Sequence, residues 1–144
     1  MGSFMYIFLV FLLLFGCSPA SMEDFRDQGR EQVRELLQEM RIIHTRQDLV
    51  HAQPRLKMHF EKLTQIMMEA RQYKENHPEA VILEPAEVDR SLSLELEKEM
   101  HRLLYLEGGE ELLEKAQEGA LYRLDHFEKV LNSRKQRERG RERS

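Results

Sequence analysis

Residues 22–44, MEDFRDQGREQVRELLQEMRIIH, set Phe25, Val33, Leu36, Leu37, Met40 and Ile43 on one stripe, with Gly29 in line with them. Because 3.6 residues complete a helical turn, apolar positions three, four and seven apart share one face of an α-helix. The preceding Ser21-Met22-Glu23-Asp24 has the form of a capping box, with acidic residues where they complement a helix N-terminus. A first helix over about 22–44 follows. Apolar on one face only, it requires other elements to cover that face.

Those elements follow in the chain. Thr45-Arg46-Gln47-Asp48 is a second capping-box pattern, but Pro54 comes soon after it. A proline inside a helix removes a hydrogen bond and crowds the preceding turn, so residues 45–53 read as a short turn or helical corner. A second helix then carries Leu56, Phe60, Leu63, Met67 and Ala70, and stops near Asn76 because His77 precedes Pro78. Pro78 and Pro85 flank Ala80-Val81-Ile82-Leu83, which reads as a loop plugging one end of the core. A third helix from about Pro85 carries Val88, Leu92, Leu96, Met100 and Leu103, and Gly108-Gly109 terminates it. A fourth carries Leu113, Ala116, Ala120, Leu124, Phe127 and Leu131. The expected fold class is all-α: a small antiparallel helical bundle or two stacked helical hairpins.

Composition agrees with this reading. A third of the 144 residues are charged, 8% are aromatic and none is Trp, which favours charged amphipathic helices over a sandwich or barrel. The net charge is −4; residues 134–144 carry +4, so the remainder carries −8. A net-acidic body argues against a general nucleic-acid binder. The C-terminal run has no apolar residue and reads as a disordered basic tail or a fraying helix. Its cations Arg134, Lys135, Arg137, Arg139, Arg141 and Arg143 are candidates for electrostatic contact with anionic headgroups, peptidoglycan or an acidic partner.

The N-terminus has a different character. Phe4 to Phe15 is an apolar run, followed by Gly16 and by Cys17, the only cysteine. Twelve helical residues rise about 18 Å, short of the roughly 30 Å hydrocarbon core, so the run reads as the apolar part of a secretory signal. A lone cysteine forms no internal disulfide. Leu14-Phe15-Gly16-Cys17 resembles the lipobox of bacterial lipoproteins. Phe15 stands where that pattern usually has Ala or Ser, and Met1-Gly2-Ser3 lacks the usual Lys or Arg. The resemblance implies cleavage between Gly16 and Cys17, a diacylglyceryl group on Cys17, and usually a further acyl chain on its new amine. Ser18 then implies outer-membrane delivery in a diderm host. Two or more acyl chains anchor a protein stably, where one is marginal.

The expected organisation is a signal peptide over 1–16, a lipidated tether over 17–21, a helical domain over 22–133 and the basic tail over 134–144. An ordinary cleaved signal, a secreted helical effector, and translation from Met22 giving a cytosolic helical protein are the alternatives. N-myristoylation at Gly2 is disfavoured because Tyr6 stands where that motif wants Ser or Thr.

Candidate chemistry is sparse. His44, Asp48 and His51 would share a helix face if residues 44–51 were helical, but none of the six histidines has Glu three residues before it, as di-iron bundles require. No serine lies in a Gly-x-Ser-x-Gly elbow. Gly108-Gly109-Glu110 opens a helix, where Glu110 and Glu111 would repel an anion. Met58, Met67, Met68 and Met100 suit core filling or an adaptable apolar surface. The expectation is a binding protein, not an enzyme, with no cofactor. Its partners would be the membrane through Cys17, an unidentified envelope protein, and, through exposed stripes on helices 1 and 4, a second copy of itself.

Overall fold

The computed structural model describes residues 21–142. They form four helices and no strand: α1 (Met22–Arg41), α2 (Arg46–Asn76), α3 (Glu87–Leu104) and α4 (Gly109–Glu142). Both sequence-legible caps are present. Ser21 Oγ accepts the Asp24 N–H, and Thr45 and Asp48 form a reciprocal capping box at the start of α2.

The expected helical corner at 45–53 is replaced by continuous helix. α2 runs through Pro54 from its first residue to Asn76. The capping box holds the first turn, and Leu49, Ala52 and Leu56, all fully buried, lie on the same inward stripe on both sides of the proline. That burial outweighs the hydrogen bond that Pro54 cannot donate to the Val50 carbonyl. Arg55 Nη1 donates instead to the neighbouring His51 carbonyl at 3.3 Å.

α1 and α2 form one antiparallel hairpin, and α3 and α4 form another. Side-chain bonds fix how the hairpins stack. Arg30 of α1 meets Asp89 early in α3, and Arg102 late in α3 reaches the Met40 and Ile43 carbonyls at the end of α1. On the other side, Gln65, Arg71 and Glu75 of α2 pair with Arg123, Glu128 and Lys135 of α4 in the same order. α1 therefore runs parallel to α3, and α2 parallel to α4. Of the two arrangements compatible with the sequence, the structure is the pair of stacked hairpins.

Both hairpin turns, 42–45 and 105–108, fall at one end, which we term the turn end. The core sits there: Leu36, Met40, Ile43, Leu49, Leu56, Phe60, Leu103, Leu113 and Ala116 form one buried cluster, with Leu96, Met100 and Leu112 against it. Arg102 closes the C-terminus of α1 by donating to the Ile43 and Met40 carbonyls at 2.6 and 2.7 Å, the latter also accepting the Ile43 N–H.

The opposite, open end holds the start of α1, the 77–86 loop and the end of α4. The loop does not plug the core. Val81 and Ile82 are 72% and 75% exposed, and Ala80 and Leu83 at the ends of that apolar run are half-buried. Lys74 ties the loop down by donating to the Pro78 and Ala80 carbonyls. Over 134–142 the basic segment is an exposed helical continuation of α4 that ends at Glu142. Arg, Lys, Gln and Glu are good helix formers, and α4 simply continues past the end of α2.

Candidate interaction surfaces

The sequence-derived anchor residues Gly16 and Cys17 lie outside the described residues, as does Arg143. The remaining tail cations lie on the last turns of α4. Lys135 is drawn inward, its Nζ 2.7 Å from Glu75 Oε1 on α2. Arg134, Arg137, Arg139 and Arg141 are exposed and make no ion pair with any described residue.

Helical periodicity sorts this segment into two faces. Leu124, Leu131, Lys135, Glu138 and Glu142 continue the side that packs on α2. One residue earlier at each step, Arg123, His126, Val130, Arg134, Arg137 and Arg141 succeed one another at spacings of three and four. That second stripe carries no carboxylate. Its upper half lines an open pocket of about 430 Å³ on the α2–α4 seam, with Met68, Tyr122 and Phe127 completing the walls. Arg123 is held across the seam by donating to Gln65 Oε1 at 2.8 Å. Tyr122 is 71% exposed.

A second apolar opening lies at the open end between α1, α2 and the loop. It measures about 280 Å³ and is lined by Met22, Phe25, Leu63, Met67, Ile82 and Leu83. Leu63 and Gly29 also border a smaller pocket of about 210 Å³ toward α3, with Val33, Leu92 and Leu96. A Cβ on Gly29 would meet nothing within 4 Å, so the glycine leaves a gap along the α1 stripe. Of these methionines, Met67 and Met68 border the apolar openings, Met100 packs against the core, and Met58 is about half exposed.

The strongest electrostatic cluster is structural. Asp89 accepts two hydrogen bonds from Arg30 and one from the Ala86 N–H, and lies 3.8 Å from Arg26 Nε. The Arg30 guanidinium and the Ala86 N–H together hold its carboxyl at about 2, well below the usual range. Nothing in the local spacing announces this cluster. Arg30 and Asp89 are far apart in sequence and meet only because the hairpins stack in parallel.

Three of the histidine rings, His59, His77 and His101, are engaged by other side chains. Asp48, considered with His44 and His51, accepts the His44 and Thr45 N–H groups, which lower its pKa. His59 Nδ1 lies 2.8 Å from the Gln32 side-chain nitrogen. His77 stacks on Tyr73, with ring centroids 4.1 Å apart. Among the described residues, no group of three or more His, Cys, Asp or Glu side chains is placed to hold a metal ion, and no helix is long and apolar enough to cross a membrane.

No protein-family model, curated protein or solved structure matches this chain.

Proposed function

We propose that this chain is a membrane-anchored bacterial lipoprotein whose helical domain acts as a protein-interaction or scaffold module in the cell envelope. One observation carries the reading: Leu14-Phe15-Gly16-Cys17 directly follows the apolar run Phe4–Phe15, and Cys17 is the sole cysteine. Acylation at Cys17 gives the chain the two or more hydrocarbon chains that stable anchoring needs. The helical unit supports the division of labour. It begins at Met22, capped by Ser21, so residues 17–21 serve as a short tether between anchor and domain. Ser18 directs the anchored protein to the outer membrane in a diderm host.

The binding part of the reading rests on the apolar openings along α1 and the α2–α4 seam. Their exposed Met67, Tyr122 and Ile82 side chains offer adaptable apolar area to a partner protein.

Mass spectrometry of the N-terminal peptide, from protein purified out of its native membranes, tests the anchor. A mature chain beginning at Cys17 with added diacylglyceryl and acyl mass supports the proposal. An unmodified start after Ala20 or at Met22 overturns it and moves the protein to the secreted or cytosolic alternative. As a second arm, Cys17→Ser should abolish membrane retention.

A further inference from the structure

The start of α1 and the arginine stripe of α4 lie at the same end of the described helices. Phe25, one turn into α1, packs on Tyr73 near the end of α2, with ring centroids 5.6 Å apart. Two residues further along α2, Glu75 holds Lys135 of α4. The start of α1 and the last turns of α4 are thus neighbours across the end of α2. From Lys135, α4 continues to Glu142, rising roughly 10 Å further at 1.5 Å per residue.

From this geometry we infer that the projecting end of α4 is a membrane-contact element, with Arg134, Arg137 and Arg141 binding anionic lipid headgroups of the bilayer that holds the anchor. The inference rests on the Cys17 anchor proposed above. A five-residue tether spans at most about 17 Å, so a bilayer holding Cys17 lies within reach of this end of the domain and far from the turn end. The tail therefore faces the anchoring membrane; it does not extend from a distal tip toward another surface.

Charge and exposure favour headgroups as the ligand. The three arginines share one helix face, are exposed, and have no ion-pair partner among the described residues. The carboxylates of the segment, Glu138 and Glu142, sit on the adjoining face with Lys135. Each arginine held near an anionic bilayer adds attraction that salt screens within a Debye length. Val81 and Ile82, the most exposed aliphatic side chains of the 77–86 loop, lie at the same end. Exposed aliphatic groups at the same end as a cationic helix face match the interfacial zone of a bilayer better than they match a polar protein surface. The loop's own carboxylates, Glu79 and Glu84, leave α4 as the cationic part of this end.

The test uses the full chain, purified from a host that processes it and incorporated into vesicles of phosphatidylcholine alone or with a third phosphatidylglycerol. Flotation on the neutral vesicles reads the acyl anchor. Tryptic cleavage after Lys135 and Arg139, followed by mass spectrometry and normalised to cleavage after Arg46 at the turn end, reads the α4 contact. Cleavage of the tail should slow about tenfold on the anionic vesicles and recover in high salt. In the triple variant Arg134→Gln, Arg137→Gln, Arg141→Gln, the protection should vanish while flotation and helicity persist. Equal cleavage on neutral and anionic vesicles overturns the inference and assigns the stripe to an acidic protein instead. Failure to float on neutral vesicles sinks the anchor reading alone. In that case binding to anionic vesicles, lost in the triple variant, upholds the headgroup contact, and absence of such binding overturns it as well.

Discussion

Arg30 and Asp89 meet across the α1–α3 seam in a two-point contact, Nε to Oδ1 at 2.6 Å and Nη2 to Oδ2 at 3.1 Å. The same carboxylate accepts the Ala86 N–H at the start of α3, so one side chain both caps a helix and fastens the two hairpins together. Its pKa, about 2 in the folded protein, lies below the ordinary value near 3.9. The ionised form is therefore favoured by folding. Its stabilisation is present above the unfolded value and is lost as pH falls through the folded one. Asp89→Asn should lower the melting temperature at pH 7, and the gap from the parent should close between about pH 4 and pH 2. Thermal melts followed by circular dichroism at pH 7, 4 and 2 check this; a gap independent of pH would show that the carboxylate charge contributes nothing.

The core's position at the turn end makes stability uneven along the bundle. Leu36 and Leu56 are fully buried in the shared cluster, whereas Leu94 on α3 is 66% exposed. Leu36→Ala or Leu56→Ala should cost about 2–5 kcal/mol, the range for emptying a packed leucine site. Leu94→Ala should stay within about 0.5 kcal/mol. Urea titration of the three variants gives the comparison directly. Similar losses at all three sites would mean that Leu94 is covered in solution, for example by a second copy.

How much of this was readable beforehand follows the range of each interaction. Ser21 and Thr45 announce their helices because a cap and its partner sit three residues apart, and the apolar stripes announce which faces turn inward. Gly108-Gly109 is equally local. What escaped the sequence depends on neighbours far along the chain. Pro54 looks like a boundary until Leu49, Ala52 and Leu56 are seen to be buried as one row. Val81 and Ile82 look like a plug until the core is found at the other end. Arg30 with Asp89, and Arg102 with the end of α1, follow from the parallel stacking of the hairpins, and no spacing encodes that. For the candidate surface, the tail's charge was legible. Its sorting into an arginine face and a face turned toward α2 needed the helix, and its place at the same end as the start of α1 needed the fold.

Pro54 offers a test of the uninterrupted α2. If the helix is continuous as observed, Pro54→Ala restores the missing N–H to the Val50 carbonyl at an exposed position without disturbing the buried row. The folded state should gain from the repaired hydrogen bond and relieved crowding, partly offset by the freer unfolded chain. A net increase of about 1–2 kcal/mol in urea unfolding is expected. A loss of stability would indicate that the proline terminates a separate corner.

The turn between the hairpin's two helices gives the sharpest contrast between adjacent residues. Gly108 has φ +70°, in the left-handed region that other residues adopt at a cost, while its own missing Cβ would find only the flexible Arg46 side chain at 3.3 Å. Gly109 is buried with ordinary φ, but a Cβ there would run into the backbone carbonyl oxygen of Leu103. Gly108→Ala should therefore cost about 1–2 kcal/mol, the penalty for a left-handed alanine. Gly109→Ala should cost more, because the Leu103 and Leu106 carbonyls are fixed by the turn bonds Leu106 N–H to Leu103 O at 3.1 Å and Gly109 N–H to Leu106 O at 2.8 Å. Relief would require moving α3 away from α4 at the point where Leu103 and Leu113 join the core. Amide exchange should then accelerate at the turn end of both helices in Gly109→Ala and only locally in Gly108→Ala. The reverse ranking of the two variants would mean that backbone conformation, not the close approach of the chain to itself, governs this turn.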